Sequence, residues 1–186
     1  MNDDLDKKQF HKKGGKTAKE IAFGAVFVAL AIGVQVALSA VPGVELVSLL
    51  FVAYAFVFGA RRGMLAATAF SLLRQFVFGV FPNVLILYLI YYNLLALCIG
   101  LMGKNACLEK RIWCVTAVAC VCTVGFHLLD FFLTAIIGGY SQKAQEIYFT
   151  ATIPVMLAQV ACVAVTVGGL FIPLGKIFQS VKKKMK

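Results

Sequence analysis

The feature that most constrains this chain is a succession of apolar stretches, each about as long as a membrane is thick. A helix needs roughly 20 residues to cross the hydrocarbon core, because each residue adds about 1.5 Å. Such stretches follow one another along most of the 186 residues, separated by short polar or glycine-containing links. We predict six transmembrane helices at about 20–41, 45–60, 63–81, 83–103, 111–138 and 148–175.

The composition agrees with an integral membrane protein. Hydrophobic residues make up 61% of the chain and charged residues only 14%, whereas about a quarter of a typical soluble domain is charged. The first apolar run is too long for a signal peptide, and no small-residue cleavage site precedes polar mature sequence. The sequence therefore predicts an all-α membrane domain at 20–178, between basic tails at 1–19 and 179–186.

The distribution of Lys and Arg predicts the orientation. Of the 18 basic residues, sixteen fall in segments that six crossings would place on one side. These segments are the N-terminal tail, the Arg61–Arg62 turn, the 103–111 link and the C-terminal end. The opposite side carries only Lys143, and Arg74 lies inside a span. Because cytoplasmic segments are enriched in Lys and Arg, we predict cytoplasmic termini in a multi-pass protein of the plasma membrane.

The same distribution argues against a nucleic-acid partner. The net charge is +10, but the positive residues sit in tails and turns, where membrane proteins carry topology information. The basic N-terminal tail is expected to contact anionic lipid headgroups. The outward links would be those at 40–45, 80–83 and 138–147.

Most strongly polar side chains within the apolar stretches fall in the predicted outer half of the membrane. Ionisable groups in a bilayer are costly, so each suggests a function. A random scatter would place some of them in the inner half, but only Asn93 is even near the middle. The outer-half residues are Gln35, Ser39, Glu45, Arg74, His127, Asp130 and Gln159.

These residues predict a small-ligand pocket that opens outward. His127 and Asp130 are three residues apart and share a helix face. Arg74 is the expected ionic partner of Asp130 or Glu45. Aromatic residues flank these positions, and polar groups converging among aromatic rings are typical of a ligand site. The candidate substrate-binding residues are Glu45, Arg74, Asn93, His127, Asp130 and Gln159.

A structural interpretation of the same residues stays open. Arg74 and Asp130 could form a salt bridge that only joins two helices. The aromatic residues could belong to the interfacial belt of a membrane protein. Glu45 could be an acidic residue favoured at the start of a helix.

The first helix carries a small residue at every fourth position. Ala25, Ala29 and Gly33 form the stripe, which continues to Ala37. Small residues let another helix approach closely. The stripe therefore predicts a partner interface at these positions, with ordinary packing inside this chain as the alternative.

The sequence contains none of the usual catalytic or metal-binding motifs. It has no phosphate-binding lysine loop, no His-Glu-x-x-His and no Gly-x-Ser-x-Gly. The six cysteines lack zinc-site spacing, so we expect small buried hydrophobic residues in a reducing compartment. We predict no enzyme activity, cofactor or metal, although an intramembrane enzyme using His127 and Asp130 as acid and base remains an alternative.

Over residues 19–178 the layout resembles the substrate-binding S component of energy-coupling factor (ECF) transporters. The shared features are six helices, a basic tail and the Ala-x-x-x-Ala pattern at Ala25 and Ala29. The segments Pro42-Gly-Val-Glu-Leu-Val-Ser48 and Val57-Phe-Gly59 are similar to members whose substrate is unassigned.

The resemblance implies high-affinity capture of a vitamin or similar micronutrient from outside the cell. The links at 40–45 and 138–147 would be lids over the pocket. A transmembrane scaffold (T) subunit and two cytoplasmic ATPases would drive a toppling of the subunit. No pattern specific for riboflavin, thiamine, biotin or folate is present, so the substrate stays open. The remaining alternative is a scaffolding membrane protein of cell-envelope assembly.

Overall fold

The computed structural model describes the backbone of residues 2–41, 45–104, 107–139 and 141–185, with side chains from Ala18 onward. Within these ranges the chain is all-helical and has no strand, as predicted. The six helices are α1 (Asn2–Leu38), α2 (Val47–Phe58), α3 (Ala60–Phe78), α4 (Pro82–Met102), α5 (Leu108–Gly138) and α6 (Gln142–Met185).

The helix boundaries differ most from the prediction at the two ends of the chain. α1 begins at Asn2, within the segment predicted as an N-terminal tail, and α6 continues to Met185 through the predicted C-terminal tail. Both extensions are rich in Lys, which has a high helix propensity. Extending an existing helix costs far less than nucleating a new one. Hydropathy therefore predicts where a helix can lie in lipid, but not where the helix ends.

The short helix α2 forms the centre of the bundle. It contacts all five other helices, and every one of its 12 residues is buried. A helix that is apolar on all sides is expected in such a position. Its length is about 18 Å, compared with about 30 Å for the hydrocarbon core. Within the predicted span at 45–60 the helix covers only Val47–Phe58, and α2 alone does not reach across a bilayer.

The other helices surround α2, chiefly as two hairpins. α3 pairs with α4, α5 pairs with α6, and α1 packs mainly against α3. At one end of the bundle, Gly59 has a φ of 91° and turns the chain from α2 into α3. Gly100 of α4 touches this turn, because a Cβ there would overlap the backbone of Ala60.

The half of the bundle near the C-terminal end of α2 has an aromatic core. The rings of Phe27 and Tyr54 stack with centroids 4.1 Å apart, and those of Tyr54 and Phe58 lie 4.7 Å apart. Phe178 of α6 packs edge-on against these rings. The ammonium of Lys182 donates a hydrogen bond to the carbonyl of Val57, near the C-terminal end of α2.

The outer surface of the bundle suits lipid. By length and composition, four helical segments are suited to crossing a membrane: Ala18–Leu38, α4, α5 and α6. Large apolar side chains on this surface include Phe76, 85% exposed, and Trp113, 82% exposed. Exposed apolar patches of this extent are rare on soluble monomers. These observations support a membrane protein.

The cysteines are not buried, which corrects the sequence prediction. All six are free; Cys98, Cys107 and Cys114 are exposed, and the other three are only partly buried. In a membrane protein the outward face is as apolar as the core. An apolar sequence context therefore does not tell a lipid-facing position from a buried one.

Candidate ligand-binding site

Glu45 lies two residues before the start of α2 and is connected, directly or through Ser48, to three helices. Its carboxylate accepts a hydrogen bond from Ser48 in the first turn of α2. Its backbone N–H donates to the thiol sulfur of Cys162 on α6, at 3.4 Å. The Ser48 hydroxyl lies 3.1 Å from the Tyr91 hydroxyl on α4. Because α2 is short, its N-terminal end lies inside the bundle, and the contacts of Glu45 lie there with it.

Arg74 of α3 is buried in a cage of aromatic and amide side chains. Its Nε donates to the Gln35 amide oxygen on α1 at 3.0 Å. The Gln35 amide nitrogen in turn donates to the Tyr88 hydroxyl on α4, also at 3.0 Å. The guanidinium carbon lies 4.0 Å from the ring centroid of Tyr88 and 4.7 Å from that of Phe78. Such cation–π contacts partly replace the hydration that Arg74 loses.

The ion pair expected between Arg74 and Asp130 or Glu45 is absent from the described part of the chain. Arg74 bonds Gln35, and Asp130 accepts a hydrogen bond from the Tyr148 hydroxyl of α6 at 2.5 Å. Depth along each helix is readable from sequence, but the neighbours of a helix face depend on how the helices pack. The prediction matched charges by depth alone.

His127 and Asp130 share a face of α5, but each bonds to α6 rather than to the other. The Nε2 of His127 lies 2.5 Å from the Gln159 amide oxygen. An amide oxygen only accepts, so this assignment places the His127 proton on Nε2. No described contact couples the two side chains as an acid–base pair.

Aromatic rings connect these separate contacts into one group. Phe126 of α5 lies 4.8 Å from Tyr91 and 5.8 Å from Tyr88, and it packs edge-on against the ring of its neighbour His127. Of the predicted residues, Glu45, Arg74, His127 and Gln159 thus lie around shared aromatic rings near the N-terminal end of α2. Asp130 lies at the margin of this group, where it bonds Tyr148 and makes no described contact with these rings. We call these residues and rings the polar cluster.

Asn93 lies apart from the polar cluster. Its amide oxygen accepts a hydrogen bond from Thr68 of α3 at 3.2 Å, and its amide nitrogen donates to the Leu89 carbonyl at 2.7 Å. Both ends of the amide are thus engaged between α3 and α4. Asn93 is placed to join these two helices.

Sequence reasoning did not select several side chains that build the site. Ser48 and Tyr148 donate hydrogen bonds to predicted residues, Gln35 accepts one from Arg74, and the ring of Tyr88 stacks on Arg74. Gln75 was also missed. Its amide oxygen accepts from the backbone N–H of Phe81 at 3.3 Å, while its buried amide nitrogen has no partner in the described structure. The sequence signal that could have identified Gln75 is its position as a polar residue beside Arg74 in an otherwise apolar run.

The cavity found in the described structure lies beside the polar cluster rather than within it. It has a volume of about 180 Å³ between the ends of α5 and α6, below the roughly 300 Å³ at which ligand pockets begin. It is lined by Phe131, Thr134, Ala135, Ala144, Gln145 and Tyr148. Tyr148 joins it to Asp130 of the cluster. Among the described residues, no three His, Cys, Asp or Glu side chains gather as a metal site would require.

The small-residue stripe of α1 faces away from the bundle. Ala25, Ala29 and Gly33 are exposed, whereas Phe27 and Ala31 on the other side of the helix are buried. A Cβ placed on Gly33 would meet no atom within 4 Å. Packing of the stripe inside this chain is therefore excluded for the described residues.

Comparisons with known proteins return no relative. No family model matches the chain, and no curated protein or solved structure is significantly similar to it. Function is therefore inferred from the geometry of the chain itself.

Proposed function

We propose that this chain is a membrane-embedded subunit that binds a small micronutrient-like solute for uptake. The observation that carries the proposal is the polar cluster, to which the link before α2 and four helices contribute side chains. Buried charged and amide groups are costly in a membrane protein unless they serve a site or one another. Here they converge among aromatic rings, as in small-molecule sites. The subunit binds and does not catalyse.

The proposed topology has six crossings and cytoplasmic termini. α3 is 19 residues long; Arg61 and Arg62 lie at its cytoplasmic end, and Arg74 is covered by neighbouring side chains. α2, with Glu45 and Leu46 before it, forms the central part of the second crossing. The sixteen-to-one distribution of basic residues supports this orientation in the plasma membrane. The polar cluster then lies in the outer half, where it meets solutes from outside.

Partner subunits would supply the energy for uptake, because the chain has no nucleotide-binding motif. In the ECF arrangement that the sequence resembles, a scaffold subunit docks on the alanine pattern of the first helix and two ATPases bind the scaffold. The uncovered stripe at Ala25, Ala29 and Gly33 supports such docking, since helices approach closest at small residues.

Affinity purification from native membranes tests this proposal. We expect the tagged chain to retain a membrane scaffold and two ATPases. The double variant Ala25→Leu/Ala29→Leu should lose these partners while remaining folded. Ala117→Leu, at an exposed alanine of α5, is the matched control and should keep them.

Two outcomes would contradict the proposal. One is recovery of envelope-synthesis proteins in place of ATPases, which would favour a scaffolding role. The other is full retention of the ATPases by the double variant, which would show that the stripe is not the docking surface.

A further inference from the structure

Arg74 of the polar cluster and its neighbour Gln75 both have hydrogen-bond donors without a described acceptor. Arg74 is only 8% exposed and Gln75 only 4%. In the described structure, Arg74 makes one hydrogen bond, through Nε, which leaves its terminal Nη groups unpaired. The amide nitrogen of the adjacent Gln75 is also buried without a partner. Native proteins satisfy the large majority of buried polar atoms, and among the described residues the Gln75 nitrogen is a fully enclosed exception. The Nη groups of Arg74 are not fully enclosed, so an acceptor from outside the chain can reach them.

The geometry of Arg74 defines what this acceptor must be. Phe78 and Tyr88 stack on the guanidinium, and Gln35 occupies the Nε edge. The remaining edge carries the two Nη groups, whose fork geometry matches the two oxygens of a carboxylate. A buried positive charge also requires a negative partner, and no described carboxylate lies within ion-pair distance.

We propose that the solute carries a carboxylate, and that the Nη groups of Arg74 bind it edge-on. This inference depends on the proposed function, because it names the chemistry of the solute bound in the polar cluster. The Tyr88 hydroxyl accepts its hydrogen bond from Gln35, so its own hydrogen is available to the same anion. Arg74 thus provides the charge, and Tyr88 provides a further donor.

The available charge favours a carboxylate over a phosphate ester. A phosphate monoester carries about −1.5 to −2 charges and three acceptor oxygens. Arg74 is the one cation of the described polar cluster. Lys143, the other basic residue predicted outside, is exposed in the first turn of α6. A single guanidinium fork neutralises one carboxylate and leaves a phosphate dianion undercompensated.

The test starts from the detergent-purified protein and the small-molecule fraction of a lysate from cells that express it. The protein is incubated with this fraction, washed, and denatured to release what it retained. Mass spectrometry identifies the solute, and methyl esterification followed by rebinding tests whether a carboxylate is required. Arg74→Gln is compared with Arg61→Gln, an exposed arginine of the same helix. Size-exclusion profiles and thermal unfolding verify the fold of each variant.

We expect the retained solute to contain a carboxylate and its methyl ester not to bind. Affinity should fall about 100-fold in Arg74→Gln, as expected from losing two charged hydrogen bonds, and should be unchanged in Arg61→Gln. A retained solute without a carboxylate, a phosphate ester, or an ester that binds like the acid would overturn the inference and leave the binding function standing. Retention of no solute by the parent protein would overturn both.

Discussion

Gln35 serves two members of the polar cluster at once. Its amide oxygen accepts from Arg74 and its amide nitrogen donates to Tyr88. The amide thereby fixes the guanidinium between its aromatic neighbours and orients the Tyr88 hydroxyl. Because a buried amide can satisfy one donor and one acceptor together, Gln35 stabilises a charge that no described carboxylate balances.

Replacing Gln35 should therefore lower the stability of the protein, because the buried Arg74 would lose a hydrogen bond. Gln35→Leu leaves the Nε of Arg74 without its acceptor, and an unsatisfied buried donor costs about 1–3 kcal/mol. We expect a lower thermal unfolding midpoint in detergent. Gln179→Leu, at an exposed position of α6, should leave the midpoint unchanged. Equal midpoints for the two variants would show that the Gln35 bonds contribute little to stability.

At single positions, the sequence predicted where the polar residues lie better than it predicted their hydrogen-bond or ionic partners. Counting residues along each span selected Glu45, Arg74, His127 and Asp130, and the structure places the first three around shared aromatic rings. It could not find their partners, because pairing depends on how each helix is rotated and which helix it meets. Gln75 shows the same limit, since its significance appears only when its buried amide is seen without an acceptor.

At the scale of helices, α2 sets the position of the polar cluster. All 12 of its residues are buried in the bundle, and the chain before it brings Glu45 within the ring of surrounding helices. The turn from α2 into α3 is held close to α4, where Gly100 meets Ala60 without an intervening side chain. The close packing at this end anchors α2.

Adding a methyl group at this contact should destabilise the bundle. In Gly100→Ala the new Cβ would overlap the backbone of Ala60, so we expect a loss of roughly 1–3 kcal/mol from overpacking. Gly125→Ala on α5 is the matched control, because a Cβ there meets nothing within 4 Å. Thermal unfolding in detergent compares the two. A Gly100→Ala midpoint as high as that of the control would contradict the packing described here.

Across the whole molecule, the sequence predicted the number of helices but not how they pack around one another. Long apolar runs and well-marked links gave six helices, since both are properties of local sequence. The central position of α2 could not be predicted in this way, because lipid-facing and buried apolar surfaces have the same composition. The length of α6 was underestimated for a related reason, as its ends lie in polar sequence that remains helical.

The orientation in the membrane can be tested by labelling single cysteines. In a chain whose native cysteines are replaced by serine, Lys143→Cys should react with a membrane-impermeant maleimide on intact cells. A variant that keeps only Cys107, exposed in the link before α5, should react only after permeabilisation. The basic residues near Cys107 are expected on the cytoplasmic side. Labelling of Cys107 on intact cells would reverse the proposed topology.

Native mass spectrometry of the purified protein, after exposure to the small-molecule fraction of a lysate, tests most directly whether the polar cluster binds a solute. We expect one bound mass beyond lipid and detergent, lost in Arg74→Ala and Asp130→Ala and kept in Lys143→Ala. A parent protein that carries only lipid and detergent, or variants that hold the solute as the parent does, would contradict a binding site at the polar cluster.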